Sequence, residues 1–328
     1  MYADAHADTF FRVALEGLDP FARDGGLHVN VPRMRDVGQV LQCCSVFTPK
    51  HYSGHAAETF SLRILGTIHE YVTRFPQTFR LVANASELAP DGCIGLIPWL
   101  EGASPLRGEI ALLDDFFRLG VRGIGLTHNH ANEVADGCGV AEPRRGLTEF
   151  GRELVTRMDE LGIAVDCAHL PRPAFDEVMA LTKCPPIITH VGAYALVPIT
   201  RNADDAMLRA IAQRGGFVGI DFYPGHLMPG ADPAASCDDV AAHIAHAINV
   251  CGMAHVGLGG DFDGFADTCT DLRHVGDLPN LRAALASRGL REPEIDAVFG
   301  GNLLRYLAQV LPQGSPVLDS APCASGRS

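Results

Sequence analysis

The chain has almost no lysine. Only Lys50 and Lys183 occur, and the rest of its 26 basic residues are arginine. Positive charge is scarce in general. A net charge of −13 argues against a nucleic-acid surface or an anionic membrane as partner. No apolar run approaches the ~20 residues of a membrane span. No leader precedes the first strand and no hydrophobic anchor signal closes the chain, which sets the expectation of a cytoplasmic protein. The 10 cysteines form no CxxC pair and several lie inside apolar runs, so they read as buried free thiols and not as a disulfide scaffold. No GxGxxG turn follows the first strand, which removes the usual mark of a dinucleotide-binding sheet.

What is present is an ordinary globular composition, with 328 residues, 47% apolar and 20% charged. The most informative stretch runs from Ala164 to Asn202. Two apolar β-type runs there end in His169 and His190, with a helix between them. A βα unit requires parallel strands, which bring both histidines to one sheet edge. The same alternation runs through the chain. Strands are expected at 2–8, 38–47, 93–100, 121–130, 164–170, 185–190, 216–224 and 255–264. Helices are expected at 55–75, 105–119, 147–162 (N-capped by Thr148), 203–214, 234–252, 277–287 and 293–311, while 9–37 is mixed and Gly/Pro-punctuated, with HVNVPRMRD (28–36) an ordered loop and a helical turn. Eight short strands alternating with helices predict an α/β fold, a (β/α)8 TIM-type barrel. It fills a single domain, 1–312, ahead of a tail at 313–328 expected to be disordered. The competing open, doubly wound sheet would not bring the polar ends of so many strands round one mouth.

Those polar ends are the functional signal. In the first strand, period two places Asp4, His6 and Asp8 on one face. With Glu101, His128, His169, His190 and Asp261, the barrel's strand ends carry seven imidazoles and carboxylates besides Asp4. That donor set suits Zn²⁺ or a similar divalent ion. It exceeds what one tetrahedral ion needs, so two ions sharing a bridge are expected. A carbamylated lysine is not expected there, because neither Lys50 nor Lys183 is placed at a strand's C-terminal end. Glu101, directly after the apolar run CIGLIPWL, is the carboxylate placed to bridge.

The motifs HAD (6–8), LEG (100–102), LTH (126–128), DCAHL (166–170), THVGAY (189–194), RN (201–202), GGDFDG (259–264) and NLLR (302–305) together resemble the membrane dipeptidase (renal dipeptidase) family of zinc peptidases, over about residues 3–311. The resemblance implies a zinc on His6 and Asp8, a second on His169 and His190, and Glu101 and a water or hydroxide between them. It implies that His128 contacts the substrate and polarises the scissile carbonyl, and that Asp261 handles the proton of the bridging water and leaving amine. Arg201 would receive the dipeptide's carboxylate, and Tyr223 would stand near the substrate. Asp263 is given a supporting role and His130 none. The implied reaction is hydrolysis of small dipeptides, L-Xaa-L- or D-Xaa. A homodimer is common in the family. The lipid anchor of its animal members is not carried over. Two other readings remain at this point: an amidohydrolase of N-acyl or conjugated amino acids, and an inactive barrel serving as a scaffold.

Overall fold

The computed structural model describes residues 1–142, 145–230 and 234–314. The expected tail beyond 314 lies outside them. The described residues form one sheet of nine parallel strands: β1 (Tyr2–Ala7), β2 (Gln39–Phe47), β3 (Phe79–Leu81), β4 (Ile94–Glu101), β5 (Gly123–Gly125), β6 (Ala164–Asp166), β7 (Ile187–Val191), β8 (Phe217–Ile220) and β9 (Val256–Leu258). Eight of them follow the order β1-β2-β4-β5-β6-β7-β8-β9, and β3 pairs with β4 off that path. The ring closes at its last joint. Ala7 and Phe262 bridge in parallel, Asp8 N–H donates to Phe262 O at 2.9 Å, and Asp261 N–H donates to His6 O at 3.0 Å. This is the nearly closed (β/α)8 barrel that the alternation predicts.

The helices are α1 (Thr9–Glu16), α2 (Val31–Asp36), α3 (His55–Arg74), α4 (Ile110–Arg118), α5 (Glu149–Leu161), α6 (Arg172–Leu181), α7 (Asp205–Gln213), α8 (Pro224–Leu227), α9 (Cys237–Cys251), α10 (Leu278–Ser287), α11 (Glu292–Asp296) and α12 (Asn302–Val310). Thr148 caps α5 as expected, accepting from Gly151 N–H at 3.0 Å. Three expectations change. The 9–37 stretch contains α1 in addition to the helical turn expected at 28–36, which is α2. The 105–119 segment splits into a tight turn at Ser104–Leu106 and α4. The helix expected at 293–311 is interrupted, with a wide turn at Ala297–Gly301 between α11 and α12.

Two apolar layers hold the barrel. Between sheet and helices, residues such as Val46, Ile64, Leu113, Leu154, Val178 and Ile244 form the outer core. Inside the ring, Ala3, Leu41, Ile97, Trp99, Ala164, Ile187 and Phe217 pack onto Leu303, Tyr306 and Leu307 of α12. Tyr306 O–H donates to Pro185 O at 3.0 Å, so α12 stoppers the end at which the strands begin. The opposite end is left for chemistry. Strand register sets a tier there: Phe47 pairs with Glu101, Glu101 with Gly125, and Gly125 with Asp166. Among the described residues, no helix is long and apolar enough to cross a membrane.

Candidate active site

Glu101 is the last residue of β4 and stands at the centre of the mouth. Its Oε1 lies 3.1 Å from His169 Nε2, 3.6 Å from His190 Nε2 and 3.7 Å from His128 Nε2. Its Oε2 lies 3.5 Å from His6 Nε2 and accepts from Ser45 Oγ at 2.9 Å. On the far side of His6, Asp8 Oδ2 is 3.6 Å and Asp261 Oδ1 3.7 Å from the same Nε2. The rings of His6 and His190 stack at 3.8 Å, and His169 Nε2 and His190 Nε2 meet at 3.0 Å. Three sets of donor atoms lie close enough to share an ion: His6, Glu101 and His190; Glu101, His128 and His169; His6, Asp8 and Asp261. Glu101 and His6 each belong to two of them.

The chain holds this geometry partly against backbone preference. His169 (φ 61°) and Asp261 (φ 56°) occupy the left-handed region, where a side chain is unfavourable and the surroundings must compensate. Asp8 lies between β1 and α1, at the N-cap of the helix, and its carboxylate stands with His6 and Asp261.

A metal-free reading of the cluster leaves polar atoms stranded. Neither ring nitrogen of His6 has a hydrogen-bond partner, although both are buried, and Asp8 Oδ1 has none either. Distances of 3.5–3.7 Å between His6 and its carboxylates are too long for hydrogen bonds. Orphaned buried polar atoms cost roughly 1–3 kcal/mol each. A divalent cation among imidazole and carboxylate donors is the partner this set fits.

The charges are tightly interlocked. Burial by itself pushes Glu101 up, but the charge of His6 and the hydrogen bond from His169 pull it well below the carboxylate range. Burial depresses His6, yet Glu101 and Asp8 beside it hold it well above the usual imidazole value. His169 and His190 are driven well down by burial, with Arg201 adding to the effect in both. Burial lowers His128 too. Asp261 moves the other way: burial, reinforced by Asp8, Glu101 and Asp221, raises it well above the usual range despite His6.

A supporting layer orients these groups, and the motifs did not assign it. Asp166, fully inside the barrel, accepts from Trp99 Nε1–H (3.0 Å), Ala168 N–H (2.9 Å), Thr189 N–H (3.1 Å) and Thr189 Oγ1–H (2.6 Å). Thr189 Oγ1 in turn reaches His190 Nδ1 at 3.0 Å, leaving Nε2 to face Glu101. Asn129 Oδ1 does the same for His169 Nδ1 at 2.9 Å. Asp221 is a wholly buried carboxylate just past β8. Its Oδ2 bonds His226 Nδ1 at 2.7 Å, and its Oδ1 is unpartnered. The signal for Asp166 and Asp221 was available: each is an acid embedded in an apolar strand run.

Arg201 lies at the edge of the cluster. Its Nη2 donates to His190 O at 2.9 Å and stands 3.2 Å from His169 Nε2, while its buried Nε and Nη1 are unpartnered. Asn202 anchors the loop that carries it. Asn202 Oδ1 accepts from Gly192 N–H, and its Nδ2 donates to Val197 O and His226 O. Tyr223 is not drawn into the cluster. It packs on His226 and Phe265 instead, with ring centroids 4.8 and 5.4 Å away. Asp263 points away towards α1, accepting from Thr9 Oγ1–H, His28 N–H and Val29 N–H. His130 is exposed. One expectation about lysine needs correction. Lys50, three residues past β2, lines a 130 Å³ hollow together with Glu101, His128 and His130. Lys183 does lie away from the mouth, between α6 and β7.

The sequence profile of the membrane dipeptidase family, peptidase family M19, matches residues 1–314. The dipeptidase aclJ of Aspergillus oryzae is 33% identical over 261 residues, 78% of this chain and 62% of that protein. A dipeptidase of Schizosaccharomyces pombe is 36% identical over 220 residues, 66% of this chain and 53% of its own length. The chain thus spans between half and two thirds of these curated relatives. A crystal structure of a metallopeptidase from Rhodobacter sphaeroides, liganded with a phosphinate mimic of the dipeptide L-Ala-D-Ala, matches with a TM-score of 0.88 at 27% identity, covering 94% of this chain and 99% of that one. The probable dipeptidase PvdM of Pseudomonas aeruginosa shares the fold, with a TM-score of 0.88 at 19% identity and 96% of each chain covered. The profile runs through every strand that contributes to the histidine–carboxylate cluster, and the chain belongs to the membrane dipeptidase family of metallopeptidases.

Proposed function

We propose that the protein is a dinuclear zinc dipeptidase, with the single barrel domain 1–312 as its catalytic unit. The observation that carries this reading is the convergence of His6, His128, His169 and His190 on the two oxygens of Glu101 within 3.1–3.7 Å. In this reading His6 and Asp8 would hold one ion and His169 and His190 the other, with Glu101 available to both. The chemistry that bound zinc supplies is Lewis acidity, enough to make water a nucleophile near neutral pH.

The remaining steps fall to side chains. Arg201, whose Nε and Nη1 have no partner, takes the substrate's terminal carboxylate by charge and hydrogen bonding. That fixes the scissile carbonyl over Glu101. His128 is kept neutral by burial and offers an N–H to the oxygen on which negative charge grows. Burial raises Asp261 well above the usual carboxylate range, which suits it to take the proton of the attacking water and pass it to the departing amine. The substrate is a small dipeptide with a free carboxylate, of L,L or L,D configuration. Tyr223 is left with an indirect role behind His226.

The test is hydrolysis of an L,L and L,D dipeptide panel by zinc-loaded protein, with Glu101→Ala alongside and metal content measured for both. Turnover in the wild type and its loss in the variant, with at least one metal per chain also lost, is expected. Two metals bound with no dipeptide cleaved would overturn the substrate class. The unpaired Arg201 donors would then direct the search to N-acyl amino acids.

A further inference from the structure

Beside the metal cluster lies a larger hollow of about 430 Å³, against 230 Å³ for the space directly above Glu101, His128 and Asp261. His169 lines both, and Arg201 forms part of the larger one's wall. The smaller space alone falls below the ~300–1,000 Å³ typical of ligand sites, so a substrate filling the site extends into the larger. Much of the larger wall is apolar, from Leu170, Pro171, Ile188, Val191 and Met207. Its rim carries Tyr194. Among the described residues, Tyr194 (44% exposed) and Leu196 (42%) are two of only four exposed large apolar side chains, and both sit in the loop between β7 and α7. On the other side of the cluster, the 130 Å³ hollow is lined by Lys50, Ser53, His130, Asn132 and Glu133. It is small and polar and offers no comparable place to an apolar group.

We infer that the larger hollow is the side-chain pocket for the substrate's carboxylate-bearing residue and that it selects a bulky apolar one. The inference rests on Arg201 as the carboxylate receptor. A residue anchored there by its carboxylate lies at the pocket's mouth, and its side chain enters among Leu170, Ile188, Val191 and Met207. Burial of apolar surface then favours leucine or phenylalanine over glycine at the second position of a dipeptide. Met207, near the start of α7 and partly exposed, can be enlarged without touching the cluster.

The experiment compares alanyl-glycine, alanyl-leucine and alanyl-phenylalanine as substrates of zinc-loaded wild type, Met207→Trp and Tyr194→Ala. Calorimetric titration of each protein with free glycine and free phenylalanine runs beside it. In the wild type, kcat/KM should be at least about tenfold higher for the leucine and phenylalanine substrates than for the glycine one. Met207→Trp should lower kcat/KM far more on the leucine and phenylalanine substrates than on alanyl-glycine and so erase that preference, and Tyr194→Ala should weaken it. A flat second-position profile, or equal losses on all three substrates, overturns the inference. If no dipeptide is cleaved, phenylalanine that binds wild type but not Met207→Trp sustains the pocket and overturns only the dipeptidase reading. Phenylalanine binding that is absent, or indifferent to Met207→Trp, overturns the pocket.

Discussion

At the residue scale, the groups that could be read from the sequence are those whose role follows from chemical type and place. His6, Asp8, Glu101, His128, His169, His190 and Asp261 all end or follow apolar strands, and the barrel gathers them within a few ångströms. Asp263 shows where that logic stops. It shares a motif with Asp261, but the left-handed turn between them sends its carboxylate to α1 and the 27–29 loop. There it meets His28, whose Nδ1 accepts from Asp263 N–H at 3.1 Å. Burial raises Asp263 from 3.8 to about 6 and lowers His28 from 6.5 to about 4. The two act oppositely on stability. Between about pH 4 and 6 the native His28 is neutral while the unfolded one is charged, so its contribution is lost as pH falls. Over the same window native Asp263 keeps a proton that the unfolded chain has released, so its contribution is lost as pH rises. Each amounts to at most about 1.4 kcal/mol per pH unit, and the two nearly cancel near pH 5. Asp263→Asn should therefore uncover the histidine, with stability falling by about 1 kcal/mol per unit from pH 6 to 4. His28→Gln should reverse the slope. Urea unfolding across that range measures both, and parallel pH profiles for wild type and variants would refute the pairing.

At the element scale, period and punctuation revealed all eight strands of the ring, because a strand buried on both faces is a nearly continuous apolar run. β3 escaped notice because three residues, FRL, carry no period. α1 escaped because Asp8 makes no side-chain capping bond to it, its carboxylate being turned to the cluster instead. Contacts between elements were also out of reach. Gly123 in β5 is an example: a Cβ there would run into the indole of Trp99 on β4. The same indole holds Asp166, which holds Thr189 and through it His190. Gly123→Ala should cost about 1–3 kcal/mol of stability by overpacking and also weaken metal binding. Gly66→Ala, on the exposed side of α3 with no atom within 4 Å of the added Cβ, should instead stabilise by about 0.5–1 kcal/mol. Urea midpoints with parallel metal titrations separate the two effects. Unchanged metal affinity in Gly123→Ala would mean the relay to His190 is not rigid.

At the scale of the whole molecule, the histidine–carboxylate cluster and the closure of the barrel are one structure. The β9 to β1 joint is no strand ladder: an isolated bridge between Ala7 and Phe262 and hydrogen bonds of the residues at and beside His6 and Asp261 make it. Asp4, wholly buried, ties it from inside. Its Oδ1 accepts from Gly260 N–H at 2.8 Å and His6 N–H at 3.1 Å, while Oδ2 accepts from Tyr2 O–H. The sequence put Asp4 on the face of His6 and Asp8, but its distance from the mouth makes it a brace and not a ligand. Asp4→Ala would orphan two buried N–H groups and a phenol, at roughly 1–3 kcal/mol each. It would also free the first strand from the Gly260–Asp261 turn. The expected result is a lowered urea midpoint, faster amide exchange at His6 and Asp261, and reduced metal content. Asp4→Asn supplies a side-chain oxygen for both N–H groups and an amide that can donate to the Tyr2 oxygen, so it should recover most of the loss. Equal damage from both variants would mean that the charge of Asp4 matters more than its acceptor geometry. No effect on metal content from either would separate barrel closure from ion binding, because a cluster assembled across the joint cannot keep its affinity once the joint opens.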